Sequence, residues 1–466
     1  MENNGRWQNQ QEAMEFALAH PAVMLDLDMG CGKTRVAIDA TMERNDTHRI
    51  LVVCPKAVVP VWRENLCKFA TKPWACWDET KGTVAHKTGD IIEFIGKSRI
   101  YTNTRFFVVV NYDIVWRQPL GDRLLNMEFD TIILDESHRA KSAGSKVSKY
   151  LAMLGKRANY RMCLSGTPMA NSPLDVYGQY RFLDRTIFGT RHDEFLQEYA
   201  IMGGPEKRFI VGFKNQQRLK EKFQSIAYTC RMADIADRLK LPPVLPDTEI
   251  YVDLPAKDIK TFRELGKEFV AECGTGAIVV SNVLSKMLRL QQIAAGFCMV
   301  QEEVGGPNEI RELNTAKEDA LADMLGDISP EASVVVFCVF VHDLECVARS
   351  AAKAKRRAFE VSGRRNELND WKRAPGAILA VQIQAGSEGI DMTNAHHAIY
   401  FSLPHSLAQY NQSKARLYRP GQRHPVNFCH LLAQGTVDEA MYNSLQRKQD
   451  VVEAIKSGQF DFGYIR

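Results

Sequence analysis

The stretch LDMGCGKTRVAIDA, residues 27–40, decides the fold because its pattern is specific for a loop that binds phosphate. It overlaps the end of the apolar run AVMLDL (22–27) and opens a segment with helical spacing of apolar residues. Gly30 and Gly32 let backbone N–H groups turn toward an anion at the start of that helix. The strict pattern has glycine at position 27, where this chain has leucine. The context predicts a strand, a phosphate loop and a helix; the alternative is a glycine-containing turn before an ordinary helix.

Two side chains after the glycines supply chemistry for a nucleotide. Lys33 can reach the β- and γ-phosphates, because it stands directly after the last glycine of the loop. The hydroxyl of Thr34 can hold Mg²⁺. The sequence therefore predicts a nucleotide with β- and γ-phosphates, together with Mg²⁺, as cofactors.

A second apolar run ends in two adjacent carboxylates, in the stretch FDTIILDESHRAKS (129–142). Asp135 and Glu136 repel each other unless a positive charge offsets them, and a Mg²⁺ ion on the nucleotide is a suitable charge. Ligands bind at the carboxyl ends of strands in open α/β sheets, so Asp135 is predicted to hold the metal. Glu136 is then free to polarise the attacking water. The alternative is an acidic helix N-cap after a strand.

Short apolar runs alternate with helical stretches in two blocks, a pattern typical of parallel, doubly wound sheets. The middle of the chain, from about 186 to about 325, has a mostly helical pattern. The predicted strands are 22–27, 49–54, 105–110, 131–135 and 161–165 in the first block, and 333–340, 376–383, 396–402 and 425–432 in the second.

The bulk composition excludes several classes of protein. The 466 residues are 45% hydrophobic and 25% charged, which is typical of a globular protein and argues against disorder. The net charge of +4 permits a polyanionic partner without demanding one. None of the 11 cysteines is spaced C-x-x-C, which favours a reducing, intracellular compartment and gives no indication of a zinc site. The longest apolar run, residues 333–341, is too short to span a bilayer, so no membrane association is expected.

These motifs carry a resemblance to a known family. DESH after a strand, with MGCGKT before it and CLSGTP (163–168) after it, resembles the motor core of superfamily two helicases. The stretch QSKARLYRPGQRHPV (412–426) is similar to the second-lobe signature of Swi/Snf-type ATPases, which are DNA translocases. The resemblance covers nearly the whole chain, and the bare architecture looks like a bacterial or phage member without accessory domains.

The resemblance implies an α/β fold of two tandem RecA-like parallel-sheet lobes, the P-loop NTPase fold, with ATP and duplex DNA as ligands. The expected lobes are residues 1–240, with a helical insertion at about 186–235, and residues 241–466, with a helical insertion at about 255–325.

The resemblance also implies roles for residues outside the two opening motifs. Gln10 matches a glutamine that reads adenine, since an amide can pair with both N6 and N7 of that base. In the second lobe, Gly389 and Asp391 match a motif that senses nucleotide, and Arg416 and Arg419 match arginines that face the γ-phosphate. If residues 416–419 are helical, the two arginines lie on one face.

A further group of residues matches positions that link hydrolysis to the grip on DNA. His138 lies in the DESH motif, and Ser165 and Thr167 lie in the SGTP motif. Gln412 opens the second-lobe signature and is assigned to the same coupling group.

Two basic stretches with aromatic residues, 206–223 and 353–373, are candidates for contacts to DNA phosphates. The alternative for each is a solvated helical face. The candidate residues are Lys207, Arg208, Lys214, Arg364 and Arg365.

The sequence thus favours a Mg²⁺-dependent, DNA-stimulated ATPase that tracks along double-stranded DNA inside a cell, in a bacterial host cytoplasm rather than a nucleus. One alternative is a strand-separating helicase on DNA or RNA. The other is a nucleotide-gated scaffold with little turnover, against which the intact Lys33, Asp135, Glu136 and Arg419 argue. A protein cargo, the pathway and the direction of movement are left open.

Overall fold

The computed structural model describes residues 5–169, 172–203, 209–267, 270–273, 276–279, 283–301, 308–386 and 390–457. The chain divides into two compact units, Met1–Arg238 together with Asp450–Arg466, and Leu239–Gln449. Each unit contains one large parallel β-sheet with helices between its strands. Within the described ranges, every helix is too short or too polar to cross a bilayer.

The first unit alternates strands and helices. Its strands are β1 (Ala22–Leu27), β2 (Arg49–Cys54), β3 (Trp74–Trp77), β4 (Arg105–Asn111), β5 (Thr131–Asp135), β6 (Tyr160–Ser165), β7 (Ala200–Gly203), β8 (Phe209–Phe213) and β9 (Ala227–Cys230). Its helices are α1 (Gln8–Ala19), α2 (Lys33–Glu43), α3 (Val59–Phe69), α4 (Val84–Gly96), α5 (Leu120–Asn126), α6 (Lys146–Gly155), α7 (Val176–Leu183), α8 (Arg185–Phe188), α9 (His192–Tyr199), α10 (Gln216–Gln224) and α11 (Met232–Ile235). Short 3-10 turns lie at Lys56–Val58, Lys97–Arg99, Ser137–Ala140 and Pro173–Asp175.

Seven strands form the first sheet in the order β3-β4-β2-β5-β6-β1-β9, and all neighbours are parallel. The five predicted strands are its central strands, and all residues of β1, β4 and β5 are buried. Continuous apolar runs form such strands because helices cover a parallel sheet on both faces. This order makes β5, β6 and β1 neighbours, so the loops that follow them emerge side by side.

The second unit repeats the architecture. Its strands are β10 (Thr248–Val252), β11 (Val270–Cys273), β12 (Gly276–Val279), β13 (Phe297–Gln301), β14 (Asn308–Glu312), β15 (Val334–Cys338), β16 (Ala358–Val361), β17 (Ile378–Gln382), β18 (His397–Tyr400) and β19 (Asn427–Ala433). Its helices are α12 (Ala256–Lys267), α13 (Val283–Ala294), α14 (Ala316–Asp327), α15 (Val341–Lys353), α16 (Leu368–Lys372), α17 (Ile383–Gly386), α18 (Leu407–Leu417) and α19 (Val437–Ser457), the last of which runs beyond the unit.

Six strands form the second sheet in the order β10-β19-β18-β15-β17-β16, again with parallel neighbours throughout. Its central strands match the four predicted runs, and buried side chains such as Val336, Ile378 and Ile399 form the core. The prediction of an α/β chain with two parallel-sheet lobes is therefore confirmed.

The middle of the chain differs from its predicted helical character. The stretch at about 186–235 also contains the antiparallel pair β7–β8 and the sheet strand β9, and the stretch at about 255–325 contains the antiparallel sheet β11-β12-β13-β14. These strands are only four or five residues long. Several of them are apolar, such as β13 (FCMVQ), but an apolar run this short cannot be told from a buried helix segment by its periodicity, which is why the pattern does not reveal them.

Candidate active site

The three motifs of the first unit meet at the carboxyl edge of its sheet. The phosphate loop follows β1, the DESH motif begins at the last residue of β5, and the SGTP motif begins at the last residue of β6. Because these strands are adjacent and parallel, their loops leave the same edge of the sheet. This is the edge at which open α/β sheets bind ligands.

The phosphate loop joins β1 to α2 by a tight turn. Gly30 and Gly32 have φ values of +88° and +87°, a left-handed conformation in which a side chain is strained. Helix α2 begins at Lys33, so Thr34 lies in its first turn. The Lys33 ammonium donates to the backbone oxygen of Leu27 at 2.9 Å and is buried in the loop. The turn therefore presents a helix N-terminus and a lysine where a phosphate group can bind.

Gln10 lies in α1 and is packed against this loop. Its Oε1 accepts a hydrogen bond from the Trp7 backbone N–H at 3.1 Å, and its Nε2 donates to the Cys31 oxygen at 3.4 Å. A Cβ atom at Gly32 would lie only 2.3 Å from Gln10 Nε2. The amide predicted to read adenine thus touches the phosphate loop itself.

Asp135 is held by groups from three other parts of the unit. Its Oδ2 accepts a hydrogen bond from Trp62 Nε1 at 3.0 Å, and its Oδ1 accepts one from the Glu136 N–H at 3.0 Å. The Tyr112 hydroxyl donates to the Asp135 backbone oxygen at 2.9 Å. Trp62 lies between Val59 and Leu66 on the buried face of α3, and this spacing is typical of core residues. The sequence pattern therefore does not indicate the contact with Asp135.

The raised pKa of the Asp135 carboxyl shows that its charge is only partly compensated by the chain, which suits a bound cation. Burial, and then the neighbouring charge of Glu136, raise the pKa of the Asp135 carboxyl to about 7. The charge of Lys33 and the hydrogen bonds from Trp62 and the Glu136 N–H oppose this shift. A bound divalent cation would favour the ionised carboxylate in the same way as Lys33, and more strongly.

Glu136 has an unusual backbone and a partly unsatisfied side chain. Its φ and ψ are both 51°, a left-handed conformation that costs a non-glycine residue about 1–2 kcal/mol. Among the described residues, its buried Oε2 has no hydrogen-bond partner. The His138 Nδ1 lies 3.4 Å from this oxygen. The strained turn therefore holds a buried carboxylate oxygen that can still accept hydrogen bonds.

The residues of the first unit that are predicted to couple hydrolysis to the grip on DNA lie next to Glu136. His138 Nδ1 is 3.3 Å from Ser165 Oγ, and the same Ser165 oxygen accepts a hydrogen bond from the Thr167 N–H at 3.1 Å. Burial lowers the pKa of His138, against the opposing effect of Glu136. His138, Ser165 and Thr167 thus form one connected group beside the carboxylates.

The residues present fit ATP and Mg²⁺. Within the described part of the chain, the Glu136 Oε2 and the Thr167 Oγ1 are buried without hydrogen-bond partners, and a nucleotide or water could satisfy both. Thr34 and Asp135 offer oxygen atoms, which Mg²⁺ prefers. No group of three or more His, Cys, Asp or Glu side chains is arranged for a metal in the described ranges. A magnesium ion here would therefore take most of its ligands from phosphates and water, as is usual for this metal.

In the second unit, Asp391 lies near Arg419. Burial alone would raise the pKa of the Asp391 carboxyl, but hydrogen bonds from Thr393 and the charges of Arg419 and Lys372 hold it below its usual value. Thr393 N–H donates to Asp391 Oδ1 at 3.1 Å. Gly389, predicted to belong to the same motif, lies outside the described residues.

The two arginines of the second-lobe signature do not share a helical face. Arg416 lies in the last turn of α18, whose final residue is Leu417, whereas Arg419 lies in the turn that follows. Pro420 disfavours helical geometry for the residue before it, which explains the difference from the prediction. Gln412 is buried in the same helix, and the Arg416 backbone oxygen accepts a hydrogen bond from the Met392 N–H at 3.1 Å.

The candidate DNA-contact residues differ in their availability. Lys207 and Arg208 lie outside the described residues. Lys214 and Arg365 are exposed. Arg364 is exposed as well, but its guanidinium is bound to the carboxylates of Glu360 at 2.8 Å and Glu345 at 3.1 Å. Lys214 and Arg365 are thus the better candidates among the described residues.

Comparison with known proteins places the chain in a family. The profile of the SNF2-related domain matches residues 6–296, and that of the helicase conserved C-terminal domain matches residues 316–421. The chain belongs to the SNF2-related family of helicase-like ATPases. The first match covers the phosphate loop and the DESH and SGTP motifs, and the second covers Asp391, Arg416 and Arg419.

Relatives of this SNF2-related chain differ widely in length. The human DNA annealing helicase and endonuclease ZRANB3 is 25% identical over 472 residues, which cover 97% of this chain and 40% of that protein. The putative protein p41 of Acyrthosiphon pisum secondary endosymbiont phage 1 is 27% identical over 461 residues, covering 92% of this chain and 94% of that protein. The Sulfolobus solfataricus SWI2/SNF2 ATPase core in complex with dsDNA has a TM-score of 0.43 and 21% identity, over 98% of this chain and 94% of that one. The chain thus spans about two fifths of the human relative and nearly all of the phage protein.

The contact between Gly32 and Gln10 predicts that Gly32→Ala weakens ATP binding. The new Cβ would have to move Gln10 Nε2 from 2.3 Å, and the left-handed φ of +87° would be strained. We expect the Kd for ATP to rise about tenfold or more, since tenfold corresponds to about 1.4 kcal/mol. Equilibrium titration with ATP measures this. Gly89→Ala is the control, because Gly89 lies in α4 with nothing within 4 Å of a new Cβ. A Kd for Gly32→Ala within about twofold of the unmodified chain would contradict the prediction.

Proposed function

We propose that this chain hydrolyses ATP with Mg²⁺ and uses the cycle to move along double-stranded DNA. One observation carries the proposal: the phosphate loop, Asp135–Glu136 and the Ser165–Thr167 loop leave three adjacent parallel strands at one edge of one sheet. Phosphoryl transfer needs positioning and electrostatic stabilisation more than covalent chemistry, and these loops supply both.

In this proposal the first unit holds the nucleotide. Gln10 contacts the adenine, while Gly30, Gly32 and Lys33 hold the phosphates. Thr34 and Asp135 hold Mg²⁺, which, when bound, offsets the charges of the carboxylates and the phosphates.

The same unit activates the water. Glu136 accepts a hydrogen bond from the attacking water through its carboxylate and polarises it toward the γ-phosphate. Its buried Oε2, without a hydrogen-bond partner among the described residues, supports this role. His138, beside that oxygen, is in contact with Ser165, so a change at Glu136 can reach the SGTP loop.

The second unit contributes Asp391, Arg416 and Arg419. We assign the arginines to the γ-phosphate in the transition state, when its charge spreads over the equatorial oxygens. The proximity of Arg419 to Asp391 supports a shared site in this unit. In this proposal the functional lobes are residues 1–240 and 241–466. Gly389 senses the nucleotide, and Gln412 couples hydrolysis to the grip on DNA.

The proposed partner is double-stranded DNA. Membership in the SNF2-related family and the similarity to a human DNA annealing helicase support DNA over other polyanions. Exposed Lys214 and Arg365 are suitable for phosphate contacts. Contacts to phosphate carry no sequence information, so a low sequence preference is expected. A DNA track implies an intracellular location, and a protein cargo is left open.

The proposal predicts that duplex DNA stimulates ATP hydrolysis more than single-stranded DNA or RNA does. The stimulation should fall steeply with added salt, because phosphate contacts release counterions. Steady-state ATPase assays with the three nucleic acids, each at several salt concentrations, measure this. Equal stimulation by single strands, or unwinding of a forked duplex, would favour a strand-separating helicase instead. No turnover under any of these conditions would favour a nucleotide-gated scaffold.

Glu136→Gln should separate ATP binding from hydrolysis. The amide keeps the shape of the side chain but removes the carboxylate charge, so turnover should fall by about 10²-fold or more while ATP binding persists. Single-turnover hydrolysis and ATP titration measure the two effects. Glu128→Gln, at an exposed glutamate before β5, is the matched control. Near-normal turnover of Glu136→Gln would refute the assignment of this residue.

Arg419→Ala should lower turnover by about 10³-fold, the scale of a lost arginine finger, with ATP and DNA affinity nearly intact. Arg419→Lys should restore little, because lysine cannot contact two phosphate oxygens with a planar fork. Arg373→Ala serves as the control, since Arg373 is exposed and paired only across one helical turn with Asp370. Loss of DNA binding with DNA-independent hydrolysis preserved would instead assign Arg419 to the DNA track.

A further inference from the structure

A fully buried glutamine lies behind the active-site loops. Gln179 is in α7, and none of its surface is exposed. Its Nε2 donates to the backbone oxygen of Pro168 at 2.7 Å and to that of Asp175 at 3.0 Å. Its Oε1 accepts a hydrogen bond from the Ser137 hydroxyl at 2.7 Å. The Pro168 and Asp175 oxygens can only accept hydrogen bonds, so the Gln179 nitrogen must face them. These partners therefore determine the orientation of the Gln179 amide.

The two outer partners of Gln179 belong to different catalytic motifs. Ser137 stands between Glu136 and His138, at the start of the 3-10 turn, and its side chain is fully buried. Pro168 directly follows Thr167 in the SGTP motif. One amide group therefore joins the turn that carries the water-activating carboxylate to the loop that carries Ser165 and Thr167.

The helix that carries Gln179 packs directly against this turn. A Cβ atom at Gly178 would lie 2.2 Å from the Ala140 oxygen and 2.7 Å from the Lys141 oxygen, so only glycine allows α7 to approach the turn this closely. Gln179 itself is anchored within α7 by its bond to the Asp175 oxygen. The amide is thus carried by a helix that lies in close contact with this turn.

We propose that Gln179 is a positioning residue that couples the DESH turn to the SGTP loop. The link is separate from the contact between His138 and Ser165, which lies on the side of Glu136. If one loop moves without the other, a buried hydroxyl, carbonyl or amide loses its partner, and an unsatisfied buried polar group is costly. The two loops therefore move together, and Gln179 transmits changes between the hydrolysis site and the proposed DNA grip. The inference rests on the proposed function, because the coupling matters only if DNA stimulates hydrolysis or if the two loops act together in the ATPase cycle.

A double-mutant cycle tests the link. Ser137→Ala removes only the hydroxyl that bonds Gln179, and Gln179→Met replaces the amide by an apolar side chain of similar length. The readouts are the KM for ATP and the ratio of turnover with saturating duplex DNA to turnover without it. We expect each variant to lower this ratio about fivefold or more with little change in KM, and the double variant to be no worse than Gln179→Met alone, because both changes break one link.

A matched control separates the link from a general loss of a buried hydrogen bond. Gln291 is also fully buried, and its Nε2 donates to the Leu403 oxygen at 2.6 Å in the second unit. Gln291→Met should lower thermal stability without lowering the ratio. Ser137→Thr, which keeps a hydroxyl, should retain more of the ratio than Ser137→Ala.

Each outcome decides for or against the link. An unchanged ratio in Ser137→Ala would overturn it even if Gln179→Met fails to fold, and additive losses in the double variant would overturn it as well. If the unmodified chain shows no stimulation by DNA, the proposed function fails; the same four proteins then test the link through their DNA-free turnover. In that case, additive effects on turnover would overturn the link, and non-additive effects would support it.

Discussion

Two adjacent carboxylates at the end of a buried strand are the constraint on which the rest of the site depends. Asp135 is only 5% exposed, and with Glu136 beside it the pKa of its carboxyl rises to about 7. Such a pair is costly unless positive charge and hydrogen bonds oppose the repulsion. In the chain itself, Lys33, Trp62 and the Glu136 N–H do so in part. This compensation is incomplete, which supports the proposal that the pair binds a cation on a nucleotide rather than being satisfied by the protein alone.

The parallel sheet converts this local constraint into a shared site. Lys33 and Asp135 are about a hundred residues apart in the chain. Lys33 follows β1 and Asp135 ends β5, and in the sheet these two strands are separated only by β6. The loop after β6 therefore lies between the two, which is why Ser165 can contact His138. A reordering of these strands would leave every motif intact in the sequence and remove the site. The strained, left-handed Glu136 is the local cost of turning the chain at this point.

The sequence could predict the central strands and the motif residues, and the structure explains why it could not predict the rest. The missed strands β3, β9, β10 and β16 are the four edge strands of the two sheets. Edge strands are covered less completely, and each of these four contains partly exposed residues. Strands β9, β10 and β16 include polar residues and so lack a continuous apolar run, whereas β3 (WACW) is apolar but only four residues long. Trp62 and Gln179 were missed for a different reason. Each stands on a helix face with the spacing of core residues, and the importance of each comes from polar atoms whose partners are distant in sequence. Arg364 shows the converse situation: its charge is evident in the sequence, but its pairing with Glu345 and Glu360 is not.

Two separate contacts connect the DESH turn to the SGTP loop, and they differ in how easily they can change when the two loops move. The contact between His138 and Ser165 lies beside Glu136 Oε2, and the His138 side chain is partly exposed, so a bound water can replace Ser165 as its partner. The link through Gln179 is buried together with Ser137 and Pro168, so water has no ready access to replace the amide if it moves. The first link can therefore change during a catalytic cycle at small cost, whereas the second resists separation of the two loops. The proposed motor would need both kinds of contact. The contact between His138 and Ser165 can change when the γ-phosphate changes, and the hydrogen bonds of Gln179 keep the two loops together while it does so.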